Sequence, residues 1–231
     1  MLAAMDIEMN VDTNIEAALQ SLMVSVDPRP LFGRAVALGA EVIAAVPRDR
    51  FGDRTPCRDY SVRQLMGHMV DALRRVAILG RGEDPFGAPP LDPATVHDGE
   101  WLTLWRLANH EVEHAWADAE VLTRTITLPW ATLPGAAQLL TYTNEITVHT
   151  WDLAAATGQL PTWDDEVVQA ALAAIRVVLP AGNREATFRA ILESMPPETT
   201  QQFKMPFAEA VEIADDASPI DQLVAWNGRE P

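Results

Sequence analysis

Two patterns among the five histidines of this 231-residue chain have spacings that could hold a metal ion. The first is HEVEH at 110–114, a literal H-E-x-x-H match. On a helix it sets two imidazoles one turn apart. Helix phase speaks against it. The apolar stripe Trp101, Leu104, Trp105, Ala108, Val112, Ala115, Ala119 faces a core, and His110 and His114 point about 160–200° away from stripe residues. A solvated helix face is the plainer reading, and a zinc peptidase built on His110, Glu111 and His114 is the remote alternative. The second pattern joins two segments. Glu145 and His149 lie one turn apart, on a helix whose apolar surface includes Leu139, Tyr142, Ile146 and Leu153. His68 follows Leu65 and precedes Met69, on the buried side of its own helix. Two imidazoles and a carboxylate, with water completing the shell, suit a catalytic divalent ion such as zinc. A hydrogen-bonded core histidine beside a simple Glu–His helix pair is the competing reading. A lone buried carboxylate is costly and needs a partner.

Helical elements must position these residues. Leu31, Ala35, Leu38, Val42 and Val46 recur at helical steps until Pro47. Ser61 with Gln64 three residues later forms a capping-box signature for a helix from Val62 to about Leu79. Residues 80–99 are rich in Pro and Gly and read as a long loop. Glu100 to Leu122 reads as a third helix, TLPWATLPG as a turn-rich break, and Ala136 to Thr157 as a fourth, stopped by Gly158. Thr162 is placed to cap a helix to about Leu179, and a shorter one follows near Arg184 to Ser194. Phe203 to Ala214 could form a short extended piece, and Pro219 starts a final helical turn. The expected architecture is all-α. It has an appendage over 1–27, a four-helix metal-binding bundle over 28–160, and over 161–231 a C-terminal helical extension packed on the bundle.

Composition narrows the partners. Seventeen basic against 33 acidic residues give a net charge of −16, which disfavours nucleic acid and anionic membrane surfaces. A hydrophobic fraction of 48% is ordinary for a globular chain. A single cysteine, Cys57, excludes an internal disulfide framework and fits a reducing cytoplasm. MLAAMDIEMN has no basic region of a signal peptide, and no apolar run spans a bilayer. Localisation is therefore expected to be cytoplasmic, while the oligomeric state is open. For Cys57, burial as a small apolar side chain is the commoner fate, and a nucleophile at a helix start the rarer one.

TPCRDYSVRQLMGHMV (55–70), NEITVHTWDLAAATGQLP (144–161) and DDASPIDQLVAWNGREP (215–231) resemble an actinobacterial family of metal-binding proteins. It belongs to the DinB-like, mycothiol-dependent maleylpyruvate isomerase superfamily. The likeness runs from about Pro30 to Pro231 and includes LPWATLPG. It implies a DinB-like four-helix bundle with a shallow metal site whose ligands are His68, Glu145 and His149. HEVEH lies outside the family pattern. Tyr60 stands where the family usually has Trp, and residues 1–27 have no counterpart.

The resemblance implies a divalent ion, with zinc first and nickel or another ion as options, and mycothiol as cosubstrate. The expected activity is a thiol-activating transferase or isomerase acting on a small electrophile. The competing class is a non-catalytic metal- or small-ligand-binding module. Coordination deprotonates a thiol whose ordinary pKa is about 8.5. Asp152, three residues past His149, is expected to support that ligand or contact substrate, and Trp151 to wall the site or join the core. Arg58, Arg74, Arg184 and Arg229 are the candidates for an anionic substrate or the carboxylate of the thiol.

Overall fold

In a computed structural model of the chain, the described residues are 27–87, 89–129, 131–194 and 208–231. Their helices are α1 (Arg29–Ala44), α2 (Val62–Arg81), α3 (Trp101–Ala115), α4 (Glu120–Thr123), α5 (Gly135–Thr157), α6 (Asp165–Val178), α7 (Arg184–Ser194) and α8 (Pro219–Trp226). Helices α1, α2, α3 and α5 close a ring: α2 packs on α3 and α5, and α1 on the same two. The expected all-α, DinB-like four-helix bundle is the observed fold. The expected appendage is out of reach, since residues 1–26 lie outside the described residues.

Local chemistry starts and stops the helices much as expected. Ser61 Oγ accepts from Gln64 N while the Gln64 side chain accepts from Ser61 N, closing the capping box that opens α2. At the end of α5, Gly158 takes φ 70°, a left-handed conformation that costs glycine little. Ser218 caps α8, with Pro219 at its first position.

Three expectations need correction. The third helix ends at Ala115 rather than running to Leu122. Trp116 is pinned by its indole N–H, which donates to Val76 O at 2.8 Å, and Asp118 Oδ1 then accepts from Glu120 N where the separate turn α4 begins. Ala119, expected in the stripe, is exposed. TLPWATLPG is no simple break but part of an antiparallel hairpin, β1 (Thr125–Leu128) paired with β2 (Ala131–Pro134), Ile126 opposite Leu133. Asp164, not Thr162, caps α6, accepting from Glu166 N and Val167 N. For the extended piece at 203–214, residues 203–207 lie outside the described residues. Residues 208–214 form no strand there and are held by single bonds, such as Val211 N to Ala225 O.

Helix α5 is the axis of the molecule: 17 of its 23 residues are buried. One side faces the bundle core. Val148, on the other side, joins a smaller core with Val168, Leu172 and Ile175 of α6 and with Leu223 and Val224 of α8. Trp151 packs against that second core. The segment after residue 161 therefore shares its central helix with the bundle.

Candidate metal centre

The capping box fixes the start of α2, and His68 comes two turns later on the flank facing α5. There His68 Nε2 lies 3.0 Å from Glu145 Oε1, and His149 Nε2 lies 3.5 Å from the same oxygen. The two imidazoles stand edge to face, centroids 4.8 Å apart at 86°. One donor atom from each of the three residues falls within 4.8 Å of the others. Donors bound about 2.1 Å from a tetrahedral ion are separated by about 3.4 Å, so the trio is near coordination spacing. His149 is 4% exposed, His68 19% and Glu145 18%, so the trio is deep on one side and open on the other.

The atoms behind the trio fix its orientation. With Nε2 free to face a cation, Nδ1 carries the proton of each ring. His149 then donates to Asp152 Oδ2 at 2.9 Å, and His68 points Nδ1 toward Tyr60 Oη at 3.4 Å. The Tyr60 ring also stacks on His68, 4.9 Å away, so tyrosine keeps the packing role of the aromatic at this position. Asp152 is fully buried and is gripped by Arg229, whose Nη2 donates to Oδ2 at 2.8 Å and Nε to Oδ1 at 3.2 Å. A buried ion pair with good geometry offsets its desolvation cost. Carboxylate–histidine support of this kind sets the tautomer and basicity of a metal ligand.

Electrostatics divide the labour. Burial alone would raise the Glu145 carboxyl, but His149 and His68 hold it well below the usual range. Burial works against a charged His149, yet Glu145 and Asp152 overrule it and lift its pKa to about 9. Burial dominates at His68 and lowers it, with Glu145 opposing. Asp152 stays low because His149 and Arg229 outweigh its burial. The result is one anionic ligand, one neutral imidazole and one whose proton a cation would have to displace. This donor set fits a divalent ion with open coordination positions.

Other candidates sort by location. Cys57 Sγ lies near His149 and Asp152. Burial pushes its pKa up to about 11, with Arg229 opposing and Asp152 and Glu145 adding, so the reactive thiolate is scarce at neutral pH. His110 and His114 are exposed on α3, and no group of three potential donors among the described residues includes either. Arg58 is exposed, and Arg74 pairs with Asp71. Arg184 is buried and donates to the carbonyls of Pro180, Ala208 and Trp226, so it clamps backbone rather than ligand. Arg229 reaches the site but is committed to Asp152. The arginine that sequence reading passed over is Arg75, whose charge acts on Tyr60, His68 and Tyr142. Its signal was position, seven residues after His68 on one helix face.

The family model described as mycothiol maleylpyruvate isomerase N-terminal domain matches residues 32–154, a span that holds His68, Glu145, His149 and Asp152 and stops before Arg229. Two relatives from Mycobacterium tuberculosis, strains CDC 1551 / Oshkosh and H37Rv, both named as uncharacterized proteins, are 30% identical over 207 residues. The match covers 88% of this chain and 98% of theirs. No solved structure matches. A matching domain that spans more than half the chain, on a DinB-like bundle, makes this protein a member of the mycothiol maleylpyruvate isomerase N-terminal domain family.

Proposed function

We propose that His68, Glu145 and His149 bind a divalent metal, zinc first, and that the protein uses it to activate a low-molecular-weight thiol against a small electrophile. The carrying observation is that three donors from two helices meet near coordination spacing while the deepest is held by a fully buried Asp152–Arg229 pair. An ion bound there supplies Lewis acidity, which lowers the pKa of a coordinated thiol. The protein's own residues do the rest. Glu145 supplies the negative charge that retains a cation. Asp152 holds the His149 ring with Nε2 outward. Tyr60 covers one face of His68 and restricts that side of the opening. Cys57, with its raised pKa, is poorly suited to be the nucleophile, which favours an external thiol. Mycothiol is the thiol suggested by the family description, and a transferase or isomerase is the reaction class that follows.

The test uses full-length protein. Elemental analysis is expected to find about one divalent ion per chain, lost in His68→Ala and kept in His110→Ala. Metal-loaded protein is then expected to consume mycothiol with at least one member of an electrophile panel. Metal without any thiol consumption would leave a non-catalytic binding module. Retention in His68→Ala with loss in His110→Ala would overturn the site.

A further inference from the structure

We propose that Arg75, positioned by Tyr142, recognises a carboxylate on the small molecule brought to the His68–Glu145–His149 centre. This rests on the metal-site reading above and specifies the ligand class.

The placement follows from helix geometry. Seven residues separate His68 from Arg75, so the two lie about 20° apart around α2 and about 10 Å apart along it. Helical side chains lean toward the N-terminus, which returns the Arg75 head group toward His68. On α5, Tyr142 sits three residues before Glu145, on the same flank. Arg75, Tyr142, His68 and Glu145 thus share one interhelical seam. The Arg75 charge acts across it on Tyr60, His68 and Tyr142.

Arg75 stands out by its lack of an acid. It is half-buried, in a chain with 33 carboxylates, yet no carboxylate lies within ion-pair distance among the described residues. Its helix neighbours are paired: Arg74 with Asp71, and Arg81 with Glu83 and Glu111. A partly desolvated cation is costly until an anion reaches it. Beside it the Tyr142 hydroxyl is buried, and its contact with the Arg75 guanidinium falls short of good hydrogen-bond geometry. Burial raises that phenol to about 12, with the Arg75 charge opposing, so it remains a neutral donor able to orient a guanidinium-bound anion. A guanidinium presents a planar fork that fits a carboxylate in bidentate fashion. One positive charge and one neutral hydroxyl balance a monoanion. A phosphate dianion would be left with excess charge facing Glu145.

The carboxylate belongs either to a thiol that, unlike mycothiol, keeps its own free carboxyl group or to the thiol's reaction partner, and one experiment separates the two. Full-length protein is loaded with Co(II), and its ligand-field absorption is titrated with 3-mercaptopropionate and with 2-mercaptoethanol, which lacks the carboxylate. Propionate is then added to the 2-mercaptoethanol complex. The wild type is expected to prefer 3-mercaptopropionate by about tenfold or more, the scale of a charge-assisted hydrogen bond. Arg75→Met should erase that preference with cobalt uptake unchanged, Arg75→Lys should keep part of it, and Tyr142→Phe should weaken it. If the thiols bind equally but propionate perturbs the wild-type complex and not the Arg75→Met complex, the carboxylate belongs to the second reactant, and Arg75 still recognises it. Thiol preference and propionate response that are both absent, or both indifferent to Arg75→Met, overturn the proposal alone. A wild type that takes up no cobalt, or a His68→Ala variant that takes it up equally, overturns the centre itself.

Discussion

At the residue scale the centre is a set of opposed charges, and pH reads their balance. His149 has its pKa raised to about 9 because Glu145 and Asp152 outweigh its burial. A group raised on folding contributes stability that is full below its unfolded value, near 6.5, and is lost as pH rises through the folded value. Metal-free protein should therefore lose thermal stability between about pH 6.5 and pH 9, by a few kcal/mol at most. Glu145 and Asp152 are depressed, so their contribution holds above the ordinary carboxylate range and fails only in acid. Metal needs the proton of His149 gone, so zinc-loaded protein should show no such decline, and calorimetry in buffers of different ionisation heat should record about one proton released near pH 7.5. A chelated protein whose stability is flat or rising over that interval contradicts the assignment. A second expectation concerns Asp152→Asn. It keeps the shape but leaves Arg229 buried without its anion and weakens the hold on His149. Metal affinity should fall by about 10- to 100-fold, measured by competition with a chromophoric chelator, and an unchanged affinity would refute the supporting role. Asp152 was legible as a neighbour of His149 because three residues along a helix return to the same side. Arg229 as its partner was not, because 77 residues separate them and sequence offers no rule for which arginine crosses that gap. Arg75 is legible by the same helical count that links His68 to Met69 and Leu65, because seven residues are close to two full turns.

At the element scale the bundle is held by a repeated device. Trp105 donates its indole N–H to Val36 O at 3.1 Å and lies over Gly39, and Trp116 donates to Val76 O at 2.8 Å and lies over Gly80. Each tryptophan of the α3 segment thus bonds a helical carbonyl and rests on a glycine one turn further along the helix. A Cβ at Gly80 would come within 2.6 Å of Trp116 Nε1 and 2.9 Å of the Ala115 Cβ. Trp116 is 2% exposed and has nowhere to move. Gly80→Ala should therefore destabilise by about 1–3 kcal/mol despite the higher helix propensity of alanine, seen as a lower urea midpoint with an unchanged slope. A stabilised variant would show that α2 and α3 can separate freely. The long helices were legible because their stripes and caps are local signals. The break after Ala115 was not, since the indole bond that ends the helix reaches 40 residues back. The hairpin was missed for a different reason: four-residue strands carry too few alternations to exceed their turn residues, and Pro129 invites a loop reading.

At the scale of the whole molecule, the chain end completes the centre it starts far from. Two fully buried polar groups of α5 depend on the last residues. Asn144 exchanges amide hydrogen bonds with Asn227 at 3.2 and 2.8 Å, and Asp152 takes both of its arginine contacts from Arg229. The backbone of Arg229 is itself fastened, through its N–H, to Val224 O at the end of α8. The three proposed metal ligands all lie within the matched domain, residues 32–154, while the cation that neutralises Asp152 does not. Deleting residues 227–231 would strand an amide and a carboxylate in the core, the second beside a carboxylate already present at Glu145. Breaking one buried ion pair typically costs about 3–5 kcal/mol, and an unsatisfied buried amide about 1–3 more. For a chain of this size each kcal/mol shifts the melting temperature by about 2–4 °C, so a drop of about 10 °C or more is expected by circular dichroism in a chelating buffer. Deleting only Glu230 and Pro231, both exposed, should leave the melting temperature within about 2 °C, because surface residues without such partners contribute little. If the longer deletion melts like the shorter one, the C-terminal segment is an accessory to the bundle. If only the longer one fails, the centre is a property of the whole fold, assembled where α5 meets the end of the chain.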